Sequence, residues 1–134
     1  MKQEMLDNLI IDEYTSFCAY TGHPGESVLD MMREMKEHNI RHLPIVRDKV
    51  VLGIVTDRDL NLVINSEEGR KLTAEDVMIP EPFVVKAGTS LRDVVFEMSE
   101  KKIGSAIVEN YENDDIGIFT SVDALNALVE VLQD

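Results

Sequence analysis

One segment of this chain is written twice. Residues 53–60 read GIVTDRDL and residues 117–124 read GIFTSVDA, so Gly53, Thr56 and Asp59 return 64 residues later as Gly117, Thr120 and Asp123. Upstream, Ser27, Asp30, Glu34, Met35 and Ile40 return as Ser90, Asp93, Glu97, Met98 and Ile103 at a spacing of 63. The change of spacing places one inserted residue in the polar stretch 111–115, where a hairpin tolerates it. A repeat this long in a chain of 134 residues leaves room for two copies of one unit with the same order of elements. A half of about 60 residues buries little surface alone, so the copies are expected to pack together around a pseudo-twofold axis.

Hydrophobic patterning gives the unit. In the first copy residues 14–21 are rich in strand formers and are broken by Gly22, Pro24 and Gly25. Ser27 and Asp30 form a helix-start signature, followed by Val28, Leu29, Met31, Met32 and Met35 on one apolar face. An apolar strand at 43–46, a polar turn at 47–49, a second strand at 50–55 and a helix from Thr56 complete the unit. Residues 66–71 read as a connector, and Thr73 with Asp76 starts a short helix ended by Pro80 and Pro82.

The second copy repeats the series with a strand at 83–86, a cap at Ser90 and Asp93, and the apolar face Leu91, Val94, Val95 and Met98. Its last helix runs from Ser121 to about Leu132. Residues 1–13 carry the spacing of a short helix packed on the body. The expected fold is therefore mixed α/β (α+β): two β-α-β-β-α repeats forming small three-stranded sheets with helices on one face. The divisions are residues 1–13, a first repeat at 14–66, a connector with a short helix at 67–79, and a second repeat at 80–134.

Charge narrows the partners. A net charge of −13 opposes nucleic acid and anionic membrane, which both require a basic face. No apolar run reaches the roughly 20 residues that span a bilayer, and residues 1–10 lack the basic and apolar regions of a signal peptide, so a cytoplasmic location is expected. Cys18, the single cysteine, forms no intrachain disulfide and reads as a core thiol. His38 and His42 are four apart, but the helix-to-strand passage lies between them and no third ligand is evident, so no metal is expected. The acidic loop 112–115 lacks the calcium-loop pattern. With no phosphate-binding glycine loop, no G-x-S-x-G and no grouping of nucleophile, base and oxyanion donors, the chain is not expected to be an enzyme.

What remains is the repeated T-x-x-D at a strand-to-helix junction. Its simplest role is capping, worth about 1 kcal/mol for each helix. The same geometry suits a nucleoside phosphate: free helix amides for a phosphate, a carboxylate for the two ribose hydroxyls, a threonine hydroxyl beside them, and a strand edge for a flat base. The two roles are compatible.

The pattern I-x-x-L-P-I-V, a polar turn and L-G-I-V-T-D-R-D-L, returning as I-G-S-A-I-V, a polar turn and I-G-I-F-T-S-V-D-A-L, resembles tandem CBS (cystathionine beta-synthase) domains, the pair called a Bateman module. The resemblance covers residues 14–132. It implies a regulatory module that binds an adenine nucleotide (AMP, ADP or ATP; less often S-adenosylmethionine or NAD) in the cleft between the repeats and signals to a partner chain. The first site would use Asp59 on the ribose, Thr56 on ribose or phosphate, and Ile40, Arg41, His42 and Pro44 around base or phosphate, with Tyr20 and Gly22. The second would use Asp123, Thr120, Ile103, Gly104, Ser105 and Ala106, with Phe83 and Val85. Arg58, Arg41 and His42 give the first site more positive charge than Val122, Gly104 and Ser105 give the second, so a phosphorylated ligand is expected to prefer the first. The family also implies a homodimer of modules, and a protein effector would carry the output. The alternative reading is an interaction or dimerisation module with unoccupied clefts.

Overall fold

The computed structural model describes residues 7–18 and 20–133, and the backbone only of Cys18. The helix expected at 1–13 falls partly, and the core role of the Cys18 thiol wholly, outside the described residues. In chain order come a 3₁₀ turn (Ile11–Tyr14), β1 (Ser16–Cys18), α1 (Val28–Glu37), β2 (His42–Arg47), β3 (Val50–Thr56) and α2 (Asp57–Val63). There follow a 3₁₀ turn (Gly69–Lys71), α3 (Ala74–Val77), β4 (Ile79–Pro80), β5 (Val84–Lys86), α4 (Leu91–Lys101), β6 (Ser105–Asn110), β7 (Asp115–Thr120) and α5 (Ser121–Leu132). The chain divides into two units, one of residues 20–82 and the other of residues 83–133 together with 7–18.

The first unit has a three-stranded sheet in the order β2-β3-β4; the second has a four-stranded sheet in the order β1-β7-β6-β5, with β5 parallel to β6. The extra strand is the difference from expectation. Strand formers at 14–21 yield only β1, and β1 pairs with β7 of the second repeat, Phe17 opposite Gly117. In the same way β4, which precedes the second repeat, pairs with β3 of the first, Pro80 opposite Gly53. The strand ahead of each repeat therefore joins the sheet of the other copy, and the units divide at residues 20 and 83.

The repeated glycine explains why these neighbours fit. A Cβ on Gly53 would lie 2.6 Å from Met78 Sδ and 2.8 Å from the Ile79 carbonyl oxygen, and one on Gly117 would lie 2.9 Å from Phe17 Cδ1. Only hydrogen at these positions lets the added strand close on the sheet. The parallel strand that opens each repeat is unequal: β5 pairs along its length with β6, whereas the matching stretch of the first unit makes a single bridge, Gly22 with Ile45. Pro24 lies two residues beyond and cannot donate to a ladder.

The inserted residue is also accounted for. Asp48 and Lys49 join β2 to β3 with positive φ at both positions, the pattern of a two-residue I′ connection, and the register shifts by one at Ile45/Val46. In the second unit four residues, 111–114, join β6 to β7 and the register is unbroken. Two residues gained in the loop and one bulge lost leave a net insertion of one.

Each unit has its own core, and the cores correspond. Val28, Met31, Met35, Leu43, Ile45 and Val55 in the first match Leu91, Val94, Met98, Ala106, Val108 and Phe119 in the second. Leu43 faces Val55 across the strands where Ala106 faces Phe119, so the smaller residue on one strand is offset by the larger on its neighbour. The Ser27 hydroxyl caps α1 by accepting from the Asp30 amide at 3.1 Å. The expected counterpart at Ser90 makes no side-chain cap, because Leu9 supplies the carbonyl that takes the Leu91 amide and Ser90 itself bridges to Ile10.

Candidate functional site

The first T-x-x-D junction forms where β3 ends and α2 begins. The backbone makes this turn because Thr56 leaves the ladder in an extended conformation and its hydroxyl accepts from the Asp59 amide at 3.2 Å. Asp57 serves the other free donor of the first turn, its Oδ1 accepting from the Arg58 amide at 2.8 Å. With capping supplied by Thr56 and Asp57, the Asp59 carboxylate is left over. Its Oδ2 is buried and has no hydrogen-bond partner among the described residues. A buried unsatisfied acceptor costs about 1–3 kcal/mol, and such groups concentrate where a ligand completes them.

The other residues expected at the first site are each held by the fold in a definite place. His42 stands opposite Thr56 in the ladder, and the Arg41 carbonyl accepts from the Asp57 amide at 3.1 Å. Gly22 donates to the Pro44 carbonyl at 2.8 Å and accepts from the Val46 amide. Pro44 is fully buried. Tyr20 stacks on His38, ring centres 3.8 Å apart, and Ile40 is half-buried against the first core. Arg58 is exposed. Arg41, however, lines a depression of about 230 Å³ with Lys36, Asn39 and Asp57, floored by Met32 and Leu60. On α2 that depression takes residues 57, 60 and 61, the side turned away from Asp59.

The second junction has the same residue types and a different bonding pattern. Thr120 again accepts from the Asp123 amide, at 3.4 Å, but Asp123 Oδ2 reaches back to accept from the Thr120 amide at 2.8 Å and the Thr120 hydroxyl at 3.1 Å. This is a closed capping box. The residue after Thr120 is Ser121, not aspartate, and its amide and hydroxyl both donate to the Gly104 carbonyl. With no carboxylate at that position, Asp123 does the capping itself. Ser105 stands opposite Thr120, Ala106 is part of the core, and Ile103 and Val85 pack at its edge. Phe83 accepts from the Ile107 amide through its carbonyl and lies under Lys101, Nζ 5.3 Å from the ring centre; that lysine also pairs with Glu97 at 2.8 Å.

Two carboxylates outside the expected site face one another near Gly22. Glu26 Oε1 approaches Gly22, 3.1 Å from where a Cβ would stand, and burial, a hydrogen bond to Glu34 and that residue's charge push its pKa up to about 7. The only sequence signal for the pair is an i, i+8 spacing across a helix start. No grouping of three or more His, Cys, Asp or Glu among the described residues is arranged to hold a metal. No helix among them is long and apolar enough to cross a membrane.

Comparison with known proteins agrees with this architecture. The chain matches the CBS domain family twice, at residues 20–66 and 74–130. It is 26% identical over 131 residues to the protein MJ1225 of Methanocaldococcus jannaschii, covering 89% of this chain and 47% of that one. The chain spans about half or less of the length of the curated relatives it matches. Among solved structures it is similar to the CBS domain pair of protein MJ0100 in complex with 5′-methylthioadenosine and S-adenosyl-L-methionine (TM-score 0.74, 25% identity, 90% of this chain and 99% of that one). It shares its fold with CBSX2, a CBS-pair protein of Arabidopsis thaliana, in complex with AMP (TM-score 0.72, 24% identity, 91% and 97% covered). Two matched segments, two units built on one repeat and the same fold in solved CBS pairs lead to one conclusion: the chain belongs to the CBS domain family and carries two CBS domains in tandem.

Proposed function

We infer that this chain is a ligand-sensing module that binds an adenine nucleotide (AMP, ADP or ATP) at the first T-x-x-D junction and passes its occupancy to a partner chain. The observation that carries this reading is the buried, unpartnered Oδ2 of Asp59. Vicinal ribose hydroxyls are the donors that such an acceptor lacks, and charge-assisted bonds of this kind are worth about 1.5–3 kcal/mol each. Arg58, next in the T-D-R-D sequence, supplies a fixed positive charge in a strongly acidic chain and favours a phosphorylated ligand. The adenosine-containing ligands held by the MJ0100 domain pair support the adenine class. Tyr20, Gly22, Ile40, Arg41, His42 and Pro44 are the candidates to line the base or phosphate.

At the second junction the closed Asp123 box favours a structural role, so one ligand per chain is expected. Sensing requires that the nucleotide bind two states of the module unequally, since equal binding shifts nothing. Thermal melting with AMP, ADP, ATP, NAD and S-adenosylmethionine tests the reading. A ligand at about 100 times its Kd adds roughly 2.7 kcal/mol and raises the melting temperature; no shift with any of the five overturns it.

A further inference from the structure

We propose that the residue directly after each motif threonine, Asp57 in the first copy and Ser121 in the second, is a positioning residue that sets whether the aspartate two places on faces a ligand or closes the helix cap, and that the second junction is a nucleotide site held shut by Ser121. The proposal rests on the reading of Asp59 as the group that takes the ribose hydroxyls of an adenine nucleotide.

The backbone does the same thing at both positions. The Asp57 amide donates to the Arg41 carbonyl at 3.1 Å, and the Ser121 amide donates to the Gly104 carbonyl at 3.0 Å. Both threonines are extended, and both hydroxyls accept from the amide of the motif aspartate. Asp59 and Asp123 are both half-buried, so exposure does not separate them. What differs is the side chain in between. A serine hydroxyl can donate, and that of Ser121 turns back to the Gly104 carbonyl, 3.2 Å away. An ionised carboxylate only accepts, so Asp57 has no bond to make with the Arg41 carbonyl. Its Oδ1 turns instead into the first turn of α2 and takes the Arg58 amide at 2.8 Å.

The consequence falls on the third residue of each helix. The first turn of α5 holds one carboxylate, Asp123, which folds back onto the Thr120 amide and hydroxyl. The first turn of α2 holds two, Asp57 and Asp59. Asp57 already supplies the negative charge that the positive end of the helix favours, and it repels a second carboxylate brought onto the same amides. Asp59 Oδ2 is left buried without a partner.

Calorimetric titration of the whole chain with AMP, ADP and ATP, run beside thermal melting, tests the proposal. Ser121→Asp, at an exposed position, is expected to raise the count from one nucleotide per chain to two. Ser121→Ala, which removes the hydroxyl without adding a carboxylate, stays at one. Asp57→Ala is expected to weaken binding at the first junction at least about tenfold, as Asp59 closes on Thr56. Melting needs no ligand and reads the caps: Asp123→Ala lowers the midpoint of the parent and leaves that of the Ser121→Asp chain unmoved, and Asp59→Ala lowers the midpoint only in the Asp57→Ala background. A parent and a Ser121→Asp chain that each bind one nucleotide overturn the proposal and leave the proposed function standing, and so does undiminished binding by Asp57→Ala. An Asp123→Ala loss of equal size in both backgrounds overturns it with or without ligand. A parent that binds none of the three nucleotides overturns the proposed function instead, and the melting comparison then decides the part played by residues 57 and 121.

Discussion

Asp59 and Asp123 occupy the same position of the repeat, and their substitution by alanine is expected to have opposite consequences for the unliganded chain. Asp123→Ala removes both bonds that Oδ2 makes to Thr120, at 2.8 and 3.1 Å, and opens the capping box of a 12-residue helix. At about 1 kcal/mol net for each bond, the loss is about 1–2 kcal/mol. Asp59→Ala removes no hydrogen bond made by a buried oxygen, because Oδ2 makes none. It forfeits the favourable placement of a carboxylate in the first turn, about 0.3–1 kcal/mol, and relieves an unsatisfied buried acceptor worth about 1–3 kcal/mol. The net change is therefore close to zero or stabilising. For a chain of this size each kcal/mol moves the midpoint by about 3–5 °C, so thermal melting by circular dichroism should show Asp123→Ala lower by about 3–10 °C and Asp59→Ala level with or above the parent. Equal losses, or a larger loss for Asp59→Ala, would refute the distinction between the two junctions.

Two further outcomes follow from the packing and the charges. Leu43→Ala should cost about 2–5 kcal/mol in urea unfolding, and adding Val55→Phe, which recreates the Ala106–Phe119 pair, should recover part of that loss; an additive double variant would contradict the volume exchange between facing strands. Because the native state binds the Glu26 proton more tightly than the unfolded chain, stability should fall as pH rises from the ordinary value of 4.5 toward about 7, and Glu26→Gln should flatten that slope; an unchanged slope would show that the Glu26–Glu34 pair does not titrate there.

The repeat, the core faces of α1 and α4 and both T-x-x-D junctions were legible because they rest on local periodicity. Met31, Met35, Val94 and Met98 fall on buried faces whichever unit they belong to. The destinations of β1 and β4 were not legible, since a three-residue or two-residue strand carries no mark of which distant edge it joins. Gly53 and Gly117 were the hint, each standing where another strand crosses. The unequal states of Asp59 and Asp123 were hidden for a different reason. The motif is identical at Thr and Asp, and the residue between them, Asp57 in one copy and Ser121 in the other, decides which group caps the helix. Arg41 comes to the first site through the family resemblance, and no pattern in the sequence shows that it also lines the depression on the side of α2 turned away from Asp59.

Calorimetric titration of the parent chain, Asp59→Ala and Asp123→Ala with AMP, ADP and ATP is the most direct test of nucleotide sensing at the first junction. The expected result is one nucleotide per chain, with affinity reduced at least about tenfold, or 1.4 kcal/mol, by Asp59→Ala and unaltered by Asp123→Ala. Binding that survives Asp59→Ala undiminished, or that is lost with Asp123→Ala instead, would contradict it.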